Sequence, residues 1–287
     1  SGGIDSSTIV ALMQSVSDRP VKTFSVGFED AAFNEAAFAG EVARHLKTDH
    51  TELYVTPQDA LDLEPKLSET YDEPFFDSSA IPTYLISALT RKEVTVALSG
   101  DGGDETFGGY TRYLWARQLS KAAGSIPFGA SMVARMLTML SPEQWDNLVG
   151  LVPGGSATSA IGDKIHKAAP LLAIKDDLDR YHALLSLFDT DKLLGRREGR
   201  KKIRVPGEKF CRNRNLDYVS SMQVMDTMMY MVDDVLTKVD RASMANSLEV
   251  RVPFIDHRVI EFGWRLPAHL KLNGSVGKYA VRQILYK

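Results

Sequence analysis

Two glycine-rich segments that carry carboxylates hold most of the chemistry open to this sequence. The first is Ser1-Gly2-Gly3-Ile4-Asp5-Ser6-Ser7, which runs directly into the largely apolar stretch Thr8 to Met13. Glycines and small hydroxyl residues leave backbone N–H groups open to an anion, and a helix beginning near Asp5 points its positive end at the same place. The group expected there is a phosphate chain. No Lys follows the glycines, so the loop is not of the Walker A type, in which a Lys reaches the outer phosphates. An acid beside phosphates makes sense only with a bridging cation such as Mg²⁺, which marks Asp5 as a candidate metal ligand. A glycine turn with Asp5 as a helix cap is the plainer alternative. The second segment is Leu98-Ser99-Gly100-Asp101-Gly102-Gly103-Asp104-Glu105-Thr106-Phe107-Gly108-Gly109-Tyr110. Its glycines let the backbone approach a ligand, and the acids Asp101, Asp104 and Glu105 repel one another unless a cation or an electrophile lies among them.

Strands and helices must position these loops. Val21 to Phe28 is rich in β-branched and aromatic residues and reads as a strand. Asn34 can cap a helix whose apolar residues Phe38, Val42 and Leu46 form a stripe. His50 to Val55 reads as a second strand stopped by Pro57, followed by helices over 58–70 and about 82–92. Val94 to Leu98 is a continuous apolar run, as expected of a strand buried on both faces of a parallel sheet. It ends at the second glycine–acid loop, and ligands of open α/β sheets bind outside the carboxyl ends of strands. The order βαβαβ predicts an α/β fold with a doubly wound, mostly parallel sheet over about 1–110, and a large helical portion over about 111–287. Loops are expected at Gly124 to Gly129 and at Pro153 to Ser156. The basic stretch Gly195 to Arg214 reads as a solvated loop, because no aromatic platform is interleaved for nucleic acid. Residues 218–246 form a long helical pattern in which Met222, Met225, Met229, Val232, Leu236 and Val239 make a core stripe.

The totals agree with a globular protein of ordinary kind: 287 residues, a formal net charge of −3, 44% hydrophobic and 25% charged. A near-neutral chain has no bulk affinity for nucleic acid, and no apolar run approaches the roughly 20 residues that span a bilayer. Cys211 is the single cysteine, which suits a reducing cytoplasmic setting and excludes an internal disulfide. The six histidines, His45, His50, His166, His182, His257 and His269, show no metal-ligand pairing. The opening on Ser1, inside the first glycine loop, reads as a cut from a longer chain.

SGGIDSS and LSGDGGDETFGGY, with Leu248-Glu249-Val250-Arg251-Val252-Pro253-Phe254-Ile255-Asp256, resemble the synthetase domain of the glutamine-hydrolysing asparagine synthetases. That family is a branch of the PP-loop ATP pyrophosphatases, with an adenine nucleotide α-hydrolase-like fold. The likeness covers about 1–110 and 218–287. It implies that Ser1, Gly2, Gly3, Asp5, Ser6 and Ser7 hold the pyrophosphate of ATP, that Asp5 and Asp104 bind Mg²⁺, and that Val26, Ser99 and Gly100 hold the adenosine. It implies activation of the aspartate side chain as β-aspartyl-AMP, followed by displacement of AMP by ammonia. Gly277-Lys278-Tyr279-Ala280-Val281-Arg282 matches the family's late Lys-x-x-x-Arg segment, so Lys278 is the candidate for transition-state stabilisation. A lysine at a helix N-terminus opposes the helix dipole by about 0.3–1 kcal/mol, and an anionic ligand reverses that cost. Asp101 stands where the best-known members more often have Glu, in a role of deprotonating ammonium or ordering the intermediate. Asp234, Lys238, Asp240 and Arg241 lie on a charged face like the family's, with Glu105 a further candidate to line the site. Glu249, Arg251 and Asp256 either line it or form a structural ion-pair network. Tyr71 to Pro74 and Asp77 to Ser79 match the loop before the third helix, with aspartate binding an open role. The resemblance further implies an upstream strand and an N-terminal glutaminase domain outside this chain, and leaves a homodimer open. A β-lactam synthetase-like cyclase, an amidotransferase for surface glycans or peptides, and a silent ATP-binding regulatory subunit would share the same loops.

Overall fold

The structure, a computed structural model, describes residues 2–28, 34–126, 129–150, 161–186 and 206–287. Ser1, the loop at 153–156 and the part of the basic stretch before residue 206 lie outside the described residues. The chain divides into two compact units, Ser1–Gly109 with Asp226–Lys287, and Tyr110–Met225.

The first unit begins with α1 (Ile4–Ser15), β1 (Lys22–Phe28), α2 (Ala36–Leu46) and β2 (Asp49–Val55). β1 and β2 pair in parallel from Lys22↔Asp49 to Phe28↔Val55, as a helical crossover requires. The N-cap of α2 is Glu35 rather than the expected Asn34, which stands one residue earlier and accepts the Ala36 N–H on its Oδ1 at 3.0 Å. The face that α2 buries is Ala36, Ala39 and Ala43, not the predicted Phe38 stripe: Phe38 is 63% exposed. Small residues let a helix lie close on a sheet, and that close approach selects the alanines over the larger side chains.

α3 (Pro57–Tyr71) starts where Pro57 ends β2. Thr56 and Asp59 form a capping box, with the Asp59 N–H donating to Thr56 Oγ1 at 3.2 Å and the Thr56 N–H to Asp59 Oδ2 at 2.8 Å. α4 (Ala80–Arg91), β3 (Val96–Leu98) and the short α5 (Gly103–Phe107) follow. After the second unit the chain returns through a π-helix (Met231–Leu236) to α13 (Thr237–Ala245), β4 (Glu249–Arg251), a 3₁₀ turn (Pro253–Ile255), α14 (His257–Arg265), α15 (Ala268–Lys271) and α16 (Tyr279–Leu285).

Among the described residues the strands make two separate parallel pairs, β1 with β2 and β3 with β4, in place of one doubly wound sheet. β3 is not buried on both faces: Val96 is 40% and Leu98 41% exposed. It is hydrogen-bonded only to β4, over three residues from Val96↔Glu249 to Leu98↔Arg251. No described strand joins β1 to β3, so the apolar run lacks the neighbours that would cover it. The π turn also breaks the predicted methionine stripe. Met231 and Val235 are buried while Val232 is 48% exposed, because a wider turn rotates the residues after it out of the 3.6 period.

A small apolar cluster sets the positions of the chemistry-bearing loops. Ile9, Phe107, Phe254 and Val281 are buried together, with Ile4, Val259 and Leu266 packed against them. The rings of Phe107 and Phe254 meet edge to face at 5.8 Å. Ile9 lies four residues after Asp5, Phe107 three after Asp104, and Val281 three after Lys278. Each charged residue is therefore about one turn from the same core.

The second unit is helical: α6 (Thr111–Gly124), α7 (Ala130–Leu137), α8 (Pro142–Gly150), α9 (Ile161–Leu172), α10 (Asp177–Leu185), α11 (Glu208–Arg214) and α12 (Tyr218–Met228). Residues 208–214 of the basic stretch are thus a helix and not a loop. Arg212 pairs with Glu208 one turn earlier at 2.9 Å, and it grips Asp176 through two bonds of 2.8 and 2.9 Å. Asp176 also caps α10, accepting the Asp179 N–H at 3.0 Å. Hydrogen bonding by Arg212 holds the Asp176 carboxyl down at about 2, below its ordinary 3.8. A carboxylate depressed in this way stabilises the fold above its unfolded value and loses that contribution as pH falls through the folded one. Asp176→Ala is expected to cost about 1 kcal/mol at neutral pH. In paired urea titrations the difference from wild type should shrink as pH falls from 3.8 towards about 2.

Candidate functional site

Asp5, Asp104 and Lys278 meet in the first unit. Asp5 is in the first turn of α1, whose N-cap Gly3 carries no side-chain cap. Asp104 is in the first turn of α5, and Lys278 is the N-cap of α16. The Lys278 ammonium donates to Asp5 Oδ2 and lies 2.7 Å from Asp104 Oδ1. The side chains of Asp5 and Lys278 are only 11% and 12% exposed. Lys278 has φ 54°, a left-handed conformation that costs a residue with a side chain about 1–3 kcal/mol and collects at functional sites.

Two glycines allow this approach. A Cβ on Gly109 would fall 1.9 Å from Lys278 Cε and 2.0 Å from Asp104 Oδ1. On Gly100 it would fall 2.8 Å from the Ser6 backbone nitrogen and 3.0 Å from the Asp5 carbonyl carbon. The glycine–acid loop therefore lies directly on the start of α1, and the two sequence segments form one place.

Burial raises the Asp5 carboxyl to about 6, with Lys278 opposing and Asp104 and Asp101 adding to the rise. Its Oδ1 is buried with no hydrogen-bond partner, as is Ser7 Oγ. An acceptor in that state is short of a cation or donor. Among the described residues no group of three or more His, Cys, Asp or Glu could hold a metal. Hard carboxylate oxygens from Asp5 and Asp104, too few to enclose an ion, fit Mg²⁺, which typically takes one or two carboxylates and completes its shell with phosphate oxygens and water.

The other candidates are placed unevenly. Asp101 turns back on its own loop, its carboxylate accepting the Ser99 hydroxyl while its N–H donates to Ser99 Oγ at 3.2 Å. Ser99 is tied to β4 by a bond from its N–H to the Arg251 carbonyl at 3.0 Å. Val26 is half-buried on β1 opposite Leu53. Gly2, Gly3 and Ser6 lead into and start α1, whereas Ser7 is buried and its N–H is used by the Gly3 carbonyl at 3.0 Å. Glu105 is fully buried. Asp240 is exposed, and Arg241 pairs with exposed Asp72. Glu249 pairs with Arg251 at 2.8 Å, while Asp256 caps α14 and pairs with Arg258 at 2.9 Å. These are two exposed ion pairs and not one network.

Asp234 and Lys238 belong to a second cluster with Tyr71, Asp77 and Ser79. Lys238 Nζ is 2.6 Å from Asp77 Oδ2 and donates to Ser79 Oγ at 2.7 Å. Asp77 Oδ1 accepts from both the N–H and the hydroxyl of Ser79, at 2.8 and 2.7 Å. Burial works against the Asp77 charge, but the bonds from Lys238 and Ser79 hold its carboxyl low. Burial and then the Asp77 charge push Asp234 up. Sequence reasoning placed Asp77 and Lys238 in separate motifs; their pairing spans 161 positions and leaves no local signal.

The family model for asparagine synthase matches residues 1–287. "Asparagine synthetase [glutamine-hydrolyzing] 1" of Bacillus subtilis (strain 168) is 33% identical over 286 residues, which is 99% of this chain and 42% of that protein. A "Putative asparagine synthetase [glutamine-hydrolyzing]" of Mycobacterium bovis is 31% identical over 291 residues, 99% of this chain and 41% of the relative. One of Methanocaldococcus jannaschii with the same description, numbered 2, is 48% identical over 115 residues, covering 40% of this chain and 22% of its own. The chain thus spans about two fifths of the length of the first two relatives.

Proposed function

The chain belongs to the asparagine synthase family, and from that premise we propose that it performs the ATP-dependent half of asparagine synthesis. The β-carboxylate of aspartate attacks the α-phosphorus of ATP, and pyrophosphate leaves. Ammonia then attacks the acyl carbon of β-aspartyl-AMP, the bond from that carbon to the bridging oxygen breaks, and AMP departs with the oxygen. The single observation that carries this reading is the convergence of Asp5, Asp104 and Lys278 from three distant parts of the chain at the start of α1.

The roles follow from charge. The N-terminus of α1, entered through Gly2 and Gly3 and carrying Ser6, receives the phosphate chain. Asp5 and Asp104 hold Mg²⁺, which when bound neutralises the triphosphate. Lys278 is tied to the same carboxylates, so its ammonium is aimed at that chain and stabilises charge developing at the α-phosphate. Val26, Ser99 and Gly100 flank the adenosine. Asp101, held ready by Ser99, accepts the proton that ammonium must lose before it can attack. Glutamine hydrolysis, which the relatives' names include, is not assigned to residues 1–287. Their only cysteine, Cys211, is buried, and burial pushes its thiol up, away from the thiolate that such chemistry needs. Among the described residues no helix is long and apolar enough to cross a membrane.

Pyrophosphate release from ATP, measured with each substrate left out in turn, tests the reading. Release should require aspartate, and asparagine should appear only when ammonium is added. Equal release without aspartate, or with other carboxylates in its place, would overturn the acceptor assignment.

A further inference from the structure

The segment Leu248 to Asp256 stands out in the sequence for its charges, yet Glu249 and Arg251 end in an exposed ion pair, and Asp256 in another and a helix cap. Its bearing on the site lies in its backbone and its apolar side chains. The Arg251 carbonyl accepts the Ser99 N–H at 3.0 Å. Ile255 closes over the turn at Gly102, and the Phe254 ring meets Phe107 edge to face at 5.8 Å. One short segment thus anchors the glycine–acid loop at Ser99, Gly102 and Phe107. Asp101 lies between the first two anchors and Asp104 between the second and third, so the middle one is common to both acids.

That middle contact is tight. A Cβ on Gly102 would fall 2.5 Å from Ile255 Cγ2, whereas Met231 Sδ would be 3.8 Å away. Gly102 has φ 79° and is the N-cap of α5, with no side-chain cap to fix it. A glycine turn of this kind loses much freedom on ordering, so packing from outside must hold it. Ile255 is suited to do so. It closes a 3₁₀ turn opened by Pro253, where its N–H donates to the Val252 carbonyl at 3.1 Å. The proline fixes one backbone angle of that turn, and β-branching restricts the isoleucine side chain at χ1.

We propose that Ile255 is a positioning residue whose Cγ2 methyl, seated on Gly102, fixes where Asp101 and Asp104 present their carboxylates. This rests on the reading of Asp104 as a Mg²⁺ ligand and adds what holds it in place.

The test sets two exchanges against each other in the intact protein. Ile255→Val keeps both γ carbons, while Ile255→Leu keeps the volume but has a single γ carbon, so the methyl on Gly102 is lost. By titration calorimetry Ile255→Val should bind Mg-ATP within about twofold of wild type, and Ile255→Leu about tenfold more weakly, the usual loss when a group that orients a metal ligand is removed. With Mg²⁺ chelated, ATP affinity should stay within about twofold in both, because the change acts through the metal's ligands. Pyrophosphate release by Ile255→Leu should fall by about 10²-fold, as for carboxylates misplaced by about 1 Å. A side chain that merely fills apolar space would tolerate both exchanges alike. Ile255→Ala, which deletes the methyl and adds no bulk, is a further variant and should show the same metal-dependent loss. Asp104→Asn is measured beside them and should weaken Mg-ATP binding at least as much. Wild-type binding in folded Ile255→Leu or Ile255→Ala, or a tenfold loss in Ile255→Val, overturns this inference alone when Asp104→Asn is weakened. Wild-type binding by Asp104→Asn overturns the metal assignment and this inference with it.

Discussion

Lys278→Met is expected to lower aspartate-dependent pyrophosphate release by about 10²–10³-fold, the usual loss when one preorganised donor to developing charge is removed. Met keeps the unbranched stem that passes Gly109 and deletes only the ammonium. Asp5 and Asp104, which now share that ammonium, would face each other without it, so their affinity for a cation should rise or hold while turnover falls. That split between binding and rate separates a catalytic lysine from a structural one. Mg-ATP binding by titration calorimetry should survive in the variant. Turnover within about threefold of wild type would remove Lys278 from the chemistry.

Gly109→Ala should be nearly as damaging, although it touches no charge. The added methyl would occupy the space of Lys278 Cε and Asp104 Oδ1, at 1.9 and 2.0 Å, so one of the two must leave. Both atoms lie at the far ends of flexible side chains, which can rotate aside with little loss of stability. What the methyl costs is their meeting. If that cost falls on the geometry of the charged trio, turnover should drop by about 10²-fold, as for a misplaced catalytic group. Steady-state kinetics with a thermal melt of the same sample checks it. A variant that melts like wild type and turns over like wild type would show that the packing at Gly109 does not govern the site.

The parts of the site that sequence made legible are those whose meaning is local. SGGIDSS and SGDGGDE announce themselves because glycines and acids at such density are hard to explain as turns alone, and both loops do meet, with Gly100 against Ser6. What sequence could not make legible depends on partners far along the chain. β4 is three residues long and pairs with β3 some 150 positions earlier, too short for any periodic signal. The apolar stripe through Phe38 does not mark the buried face of α2, because close packing on β1 and β2 selects Ala36, Ala39 and Ala43. The π turn at Met231–Leu236 rephased a helix whose apolar spacing looked regular. The same turn brings Asp234 beside Asp77, a juxtaposition set by backbone geometry and not by residue type.

Transfer of ¹⁸O tests the central claim most directly. Aspartate labelled in its β-carboxylate is incubated with ATP, ammonium and the intact protein, and the AMP is analysed by mass spectrometry. Attack of the carboxylate on the α-phosphorus, with later cleavage at the acyl carbon, predicts one labelled oxygen in each AMP formed and unlabelled pyrophosphate. AMP without label, or the appearance of ADP with labelled inorganic phosphate, would contradict the account.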